Sequence, residues 1–153
     1  MSLSYSIRPI CVSDYEQWRT LWDGYNAFYG RAGDSALDEA VTSALWDRLF
    51  DSSESVHALV AEHEGRVRGL THYLFHRSTT RLHDVCYLQD LFVGESYRGR
   101  GIARALIEAV FRAAEATGSS RVYWQTQAGN QSARALYDKV AKHSGFIVYA
   151  KEL

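Results

Sequence analysis

The stretch that decides the fold reads Leu91-Phe92-Val93-Gly94-Glu95-Ser96-Tyr97-Arg98-Gly99-Arg100-Gly101-Ile102-Ala103. Apolar residues up to Val93 predict a β-strand over 85–93, and the helical spacing of Ile102, Leu106 and Val110 predicts a helix over 101–117. A further apolar-rich stretch, 121–127, predicts the next strand. The connection between the two strands is long enough to be a crossover, so we expect them to be parallel.

The turn at 98–103 has the features of an anion-binding site. Gly99 and Gly101 permit positive φ angles and a close approach of the backbone, and the start of a helix leaves backbone N–H groups without partners. Arg98 and Arg100 add positive charge, so the turn predicts a diphosphate site, although the spacing alone fits a simple tight connection equally well. Two nucleotide motifs are absent, because Arg104 stands where a dinucleotide site needs a third glycine and no Lys-Ser or Lys-Thr follows.

The remaining hydrophobic pattern predicts one mixed α/β domain over 1–153, with a central sheet flanked by helices. Its order is β-α-α-β-β-β-α-β-α-β. The other predicted strands are 5–10, 56–63, 67–77 and 146–151, and the other helices begin after Ser13 or Asp14, at 36 and at Asn130.

Composition excludes several classes of protein. The chain has 153 residues, 46% hydrophobic and 23% charged, and a formal charge of −1, so we expect a globular domain that binds neither nucleic acid nor membrane. No apolar run approaches the ~20 residues of a membrane helix. Cys11 and Cys86 form no CxxC pair and predict a cytoplasmic protein with structural cysteines.

The sequence resembles the GNAT family of N-acetyltransferases. That family's acyl-CoA motif is Arg or Gln, two residues, Gly, one residue, then Gly or Ala, and Arg98, Gly101 and Ala103 match it. The resemblance continues through 86–93 and 130–137, and the element order agrees over nearly the whole chain. It departs at the C-terminus, where the family commonly has two strands and 145–153 has room for one. A homodimer in which a partner subunit completes the sheet is therefore one hypothesis.

The resemblance implies acetyl-CoA as acyl donor. The strand ending at Val93 should diverge from its parallel neighbour to admit the pantetheine arm, and the Leu91 N–H should stabilise the oxyanion. Asn130 should contact the arm, or act only as an N-cap. The implied cofactor-binding residues are Leu91, Val93, Arg98, Gly99, Arg100, Gly101, Ile102, Ala103, Asn130 and Tyr137.

The resemblance also implies that Tyr137 protonates the departing thiolate; packing below the cofactor is the alternative. The similar diamine and thialysine acetyltransferases often have Glu-Asp where this chain has Gln89-Asp90, and Gln89 accepts no proton. Strict strand alternation puts Asp90 on the opposite face, which leaves a water chain or one of three histidines as base. No metal site is predicted. The histidines are His72, His76 and His83.

The predicted acceptor site lies around the aromatic first helix, with Tyr25, Tyr29 and Gln89 as substrate-binding residues. Asp34, Asp38 and Glu39 suggest attraction of a cationic amine. We therefore expect transfer to a small diamine, polyamine or lysine-like acceptor. Three alternatives stay open: a protein lysine or N-terminal acetyltransferase, a non-catalytic acyl-CoA-sensing module, and an interaction domain that uses the aromatic helix.

Overall fold

A five-stranded mixed sheet forms the centre of the computed structural model, which describes residues 3–153. Its strands lie in chain order and the first four are antiparallel, while β5 runs parallel to β4, as the crossover predicted. Pro9 is tolerated because β1 is an edge strand. The strands are Ser6–Pro9 (β1), Val56–His63 (β2), Arg66–His76 (β3), Val85–Val93 (β4) and Val122–Tyr123 (β5).

The helices cover both faces of this sheet. Ile102, Leu106 and Val110 of one helix are fully buried against one face, and Trp18 and Trp22 of another are buried in a separate cluster on the opposite face. Burying each such side chain contributes about 1.5–3 kcal/mol. The helices are Tyr15–Phe28 (α1), Glu39–Leu49 (α2), Ile102–Ala116 (α3) and Gln131–Val140 (α4). Within residues 3–153, no helix is long and apolar enough to cross a membrane.

The hairpin between β2 and β3 turns at Glu64 and Gly65, which have φ angles of 51° and 72°. Two positive φ angles match the right-handed twist of the flanking strands. The strand predicted at 56–63 is confirmed at those bounds, and so is the one at 85–93.

The C-terminal prediction is wrong. Residues 146–151 form no strand, and four apolar side chains there, Phe146, Ile147, Val148 and Tyr149, are each at least 70% exposed. A strand needs hydrogen bonds from a neighbour, and 146–151 has no paired strand among residues 3–153. The strand predicted at 121–127 is also shorter, because β5 pairs with β4 only at Val122 and Tyr123. The helix predicted from residue 36 begins at Glu39, because Asp38 caps it by accepting from the Ala40 N–H at 2.9 Å.

Candidate active site

A cleft opens where β4 and β5 separate. Their parallel pairing ends at Tyr87 and Tyr123, and the expected divergence follows directly. The open space at this point, counted together with the adjoining solvent, is about 290 Å³. The end of β4, the chain after β5 and one side chain of α4 line the cleft. Two tyrosines, one in α1 and one directly after it, form the remaining wall. The lining residues are Tyr25, Tyr29, Leu88, Gln89, Leu91, Trp124, Gln125, Thr126 and Tyr137.

A β-bulge at Gln89 shapes one wall of the cleft. On β3, Tyr73 pairs with Leu88 and the adjacent His72 pairs with Asp90, which leaves Gln89 as the extra residue. A bulge breaks the alternation of side chains between the two faces. Strict alternation therefore does not apply at this point, and the two side chains still lie in different surroundings: Gln89 lines the cleft, whereas Asp90 is buried and hydrogen-bonded to His72.

The glycine-rich turn forms an open cradle at the start of α3. Gly99 and Gly101 have φ angles of 73° and 85°, which L side chains rarely adopt. A Cβ atom on Gly99 would meet nothing within 4 Å. The Tyr5 hydroxyl and the Ala105 N–H both donate to the Gly101 carbonyl, at 3.2 and 3.0 Å. With that carbonyl occupied, the cradle offers chiefly N–H groups and the positive end of the helix dipole, which suit a diphosphate.

The two arginines of the turn differ in role. The Arg98 Nε donates to the Val93 carbonyl at 2.9 Å, and its guanidinium lies 5.2 Å from the centre of the Phe92 ring. Arg98 therefore ties the turn to the end of β4. The guanidinium of Arg100 lies 5.7 Å from the Tyr97 ring on the exposed side, where it adds charge without a fixed position.

Helix α4 brings Asn130 and Tyr137 to the cleft side of the molecule. Asn130 is the N-cap, since its Oδ1 accepts from the Ala133 N–H at 3.4 Å and its Nδ2 lies 3.4 Å from Thr126 Oγ1. Tyr137 lines the cleft and packs edge-on against Trp124, with ring centres 5.5 Å apart. Burial raises the pKa of Tyr137, so its hydroxyl keeps a proton at neutral pH.

Behind the cleft lies a buried polar chain that sequence reasoning did not assemble. The Trp18 indole N–H donates to His72 Nε2 at 3.0 Å, which requires that nitrogen to be unprotonated. His72 Nδ1 therefore carries the proton and donates to Asp90 Oδ2 at 2.9 Å. His72 and Asp90 are only 1% and 8% exposed. Burial, and then the neighbouring Asp90 carboxylate, raise the pKa of Tyr25 above its usual range, so Tyr25, which lines the cleft, lies close enough to Asp90 to be affected by its charge.

Sequence reasoning also missed Arg31, just after the aromatic helix. Its guanidinium lies 5.8 Å from the Tyr25 ring and 5.4 Å from the Tyr29 ring. Arg31 Nε donates to Asn26 Oδ1 at 2.7 Å. A cation directly after a stripe of aromatic residues was the available signal, but sequence alone does not show which rings it meets.

Two of the acidic residues that were predicted to attract a cationic amine interact with other groups of the chain. Asp38 caps α2, and Glu39 accepts from Arg19 Nη2 at 2.8 Å. Both carboxylates are thus engaged by their own chain. The three candidate histidines do not form one cluster. His76 Nε2 lies 2.7 Å from the Tyr123 hydroxyl, and His83 lies beside Gly118.

The cysteines differ in environment. Cys86 is buried, and burial raises its thiol pKa to about 12. That pKa is far above the range of a nucleophilic thiolate at neutral pH. Cys11 is exposed on the surface, and neither residue lines the cleft.

The chain is similar in sequence to known acetyltransferases. Residues 16–141 match the model of the "Acetyltransferase (GNAT) family". The chain is 31% identical over 147 residues to the D-amino-acid N-acetyltransferase HPA3 of Saccharomyces cerevisiae, covering 95% of this chain and 89% of that protein.

Solved structures share the fold. A ribosomal-protein-alanine N-acetyltransferase from Brucella melitensis superposes with a TM-score of 0.82 at 21% identity, covering 98% of both chains. The protein AAC(6')-Iy, solved with a bisubstrate analogue that joins CoA to acetylneamine, gives a TM-score of 0.80 at 19% identity and covers 98% and 99% of the two chains.

Proposed function

We infer the reaction from one premise: this chain belongs to the GNAT family of acetyltransferases and is an N-acetyltransferase. The reaction that we propose is direct transfer of an acetyl group from acetyl-CoA to the primary amine of a small acceptor. The observation that carries it is a single cleft that is lined by both Leu91 and Tyr137 and is next to the bulged residue Gln89.

The donor would bind along β4 and the cradle. Backbone groups at Leu91 and Val93 would pair with the pantetheine arm, and N–H groups at the start of α3 would bind the diphosphate. The open space above Gly99 and the helix N-terminus fit that group. The remaining proposed contacts come from the rest of the turn and from α4, namely Arg98, Arg100, Gly101, Ile102, Ala103, Asn130 and Tyr137.

Two groups would act on the thioester. The Leu91 N–H donates to the carbonyl oxygen as negative charge develops on it. Tyr137 gives its proton to the thiolate as the C–S bond breaks, and its raised pKa keeps that proton available at neutral pH. No covalent enzyme intermediate is needed, which agrees with the high pKa of Cys86.

The proton of the ammonium form of the acceptor would leave through Tyr25. The Tyr25 oxygen accepts it while the Tyr25 hydroxyl passes its own proton to Asp90, which leaves a neutral amine and a neutral Asp90. After the neutral amine attacks and forms the C–N bond, the second proton on its nitrogen would replace the proton that Tyr137 gives to the thiolate. His72 holds Asp90 in place through its Nδ1–H. Tyr87, whose pKa is raised by burial and also by Asp90, and Arg31 beside Tyr25 are the other ionisable groups facing this route. Gln89 would then orient the acceptor.

The acceptor would be a small amine that enters the same cleft as the acyl donor. A diamine, polyamine or lysine-like amine fits the resemblance, and the relative HPA3 is named for D-amino acids. A protein lysine or N-terminus would have to enter the same cleft with its chain outside. If acetyl-CoA binds and no amine is acetylated, the remaining interpretation is an acyl-CoA-sensing module.

The working form would be a homodimer in the cytoplasm. Helix α4 has no buried residue, no strand from residues 3–153 lies on the outer side of β5, and the apolar tail 146–149 is exposed. Pairing the tail of one copy with β5 of the other would cover the outer side of β5, the tail itself and the neighbouring surface of α4. It would also complete the cleft wall formed by the chain after β5. Free thiols at Cys11 and Cys86 suit a reducing compartment.

The first test is calorimetric titration of acetyl-CoA into wild type and Gly101→Asp. A carboxylate in the cradle opposes a diphosphate, so binding should be lost. Gly145→Asp is the matched control, because Gly145 also has a positive φ, of 83°, but lies outside the cradle. Absence of wild-type binding would sink the proposal. Binding without acetylation of any amine would favour the sensing module.

A further inference from the structure

Arg31 places a fixed positive charge at the edge of the cleft. Its guanidinium lies against the rings of Tyr25 and Tyr29, at 5.8 and 5.4 Å, and both rings line the cleft. The charge is therefore within reach of a small molecule whose reacting group lies at Leu91 and Tyr137 in the same cleft.

The arginine is held by its own surroundings. Its Nε donates to Asn26 Oδ1 at 2.7 Å, and its backbone N–H donates to the Asn26 carbonyl at 2.8 Å. Asn26 is itself only 4% exposed and donates to the Trp22 carbonyl at 2.9 Å. Cation–π contact with two rings adds to this fixation. The guanidinium is thus oriented before any ligand arrives.

Its charge has no acidic partner among residues 3–153. Other arginines, such as Arg8, Arg19 and Arg104, lie within 3 Å of a carboxylate oxygen, whereas Arg31 forms no such ion pair. Its Nη1 and Nη2 atoms make no hydrogen bond within the described chain, so they are available to bind a carboxylate through two parallel hydrogen bonds.

We propose that Arg31 binds the carboxylate of the acceptor and that the acceptor is an amino acid. This inference rests on the proposed transferase function and narrows its substrate class. The cleft then has opposite charges for the two ends of a zwitterion. Asp90, acting through Tyr25, faces the amine, and Arg31 faces the carboxylate. A polyamine would instead bring a second positive charge towards Arg31, so the acidic attraction suggested by Asp34, Asp38 and Glu39 does not govern the choice.

The competing explanation is that Arg31 only fastens the loop after α1 to the end of that helix. Both explanations predict some loss of stability when Arg31 is replaced. They differ in whether the effect on catalysis depends on a carboxylate in the acceptor, and the experiment is built on that difference.

Initial rates should be measured with amino acids of both configurations and with their decarboxylated counterparts: alanine and ethylamine, phenylalanine and phenylethylamine, lysine and cadaverine. The enzymes are wild type, Arg31→Gln, Arg31→Lys and Arg112→Gln. Arg112 is the matched control, since it is exposed on α3, across the sheet from α1.

Wild type should prefer at least one amino acid to its decarboxylated amine. For that amino acid, Arg31→Gln should lower kcat/KM by roughly 10- to 100-fold, mainly through KM, which is the usual effect of losing a hydrogen bond to a charged group. The rate with the amine should stay within about 3-fold, and Arg31→Lys should be intermediate because it keeps the charge without the paired geometry. Arg112→Gln should match wild type.

An equal loss for amino acid and amine would overturn the inference and support the fastening role. Wild type that acetylates amines without regard to a carboxylate would also overturn it, while leaving the transferase intact. If no amine is acetylated, the proposed function fails as well. Should Arg31→Gln fail to fold, calorimetry on wild type saturated with CoA decides the matter: the amino acid should bind, and its decarboxylated counterpart should bind at least 10-fold more weakly.

Discussion

In the proposed mechanism, two tyrosines of the cleft divide the proton transfers between them. Tyr137 faces the donor side and has its pKa raised by burial, and then by Tyr29. Tyr25 faces the buried Asp90, whose charge also raises the pKa of Tyr25. The same residue type can therefore give a proton at one end of the cleft and relay one at the other, because the neighbours differ.

Replacing Tyr137 by Phe should lower kcat by about 10²- to 10⁴-fold, the usual contribution of a positioned acid. The KM for acetyl-CoA should change little, since the ring remains. Because burial raises the pKa of Tyr137, the wild-type rate should not fall from loss of this proton until the pH exceeds about 10. Steady-state rates across pH measure both effects. Tyr15→Phe, at the start of α1 and away from the cleft lining, is the control. An unchanged rate in Tyr137→Phe removes it from the mechanism.

Asp90→Asn tests the proton route at the other end. The variant keeps the shape but loses the charge, so kcat/KM at neutral pH should fall by about 10²-fold. The deficit should shrink as the pH rises, because more of the acceptor is then already the free base. Asp138→Asn on the exposed side of α4 is the matched control. A wild-type pH profile in Asp90→Asn would mean that the proton leaves by another path.

At the scale of elements, the cleft exists because β4 is interrupted twice. The bulge at Gln89 disturbs its pairing with β3, and its pairing with β5 ends at Tyr87. The cradle follows at the start of α3, and α4 closes the other side. Each piece is held by local bonds, such as the Arg98 bond to the Val93 carbonyl and the Asn130 cap.

Two substitutions of Asn130 separate its two possible roles. Asn130→Ala removes the cap and should lower the free energy of unfolding by about 1 kcal/mol, whereas Asn130→Asp keeps an acceptor for the Ala133 N–H and should stay near wild type. If the amide also contacts pantetheine, both variants should bind acetyl-CoA more weakly. Urea unfolding and calorimetry give the two quantities. Full affinity in Asn130→Asp would leave only the capping role.

At the scale of the whole molecule, one end of the sheet lacks a cover. In the described part of the chain, no strand lies on the outer side of β5, and none of the residues of α4 is buried. The tail 146–149 is apolar and exposed. Burying several such side chains would contribute about 1.5–3 kcal/mol each, which would favour the proposed association.

Light scattering after size-exclusion chromatography should give wild type a mass of about twice the 17.3 kDa of one chain. Ile147→Asp should shift it to the monomer, because a charge in the paired strand would lose its water on association. His143→Asp, before the apolar tail, is the control. A wild type that stays monomeric, or an Ile147→Asp variant that stays dimeric, contradicts the proposed exchange of tails.

Features that are encoded by neighbouring residues could be predicted from the sequence, whereas features that depend on distant residues could not. The hairpin around Gly65 and the bounds of β2 and β4 followed from short-range patterns. The parallel pairing of β4 and β5 followed from the length of the crossover. The bulge at Gln89 did not, because no residue type marks it and it arises only from the register with β3.

The sequence by itself determined the fold class, the glycine-rich cradle at 98–103, the cap at Asn130 and the position of Tyr137, because each rests on residues within a few turns of one another. Only the tertiary structure decided that His72 and Asp90 form a hydrogen-bonded pair close to Tyr25, that Arg31 lies against two tyrosines of the cleft, and that 146–151 is no strand. These features join residues far apart in the sequence, or require a hydrogen-bonding neighbour, and such pairings are set by packing across the sheet rather than by local pattern.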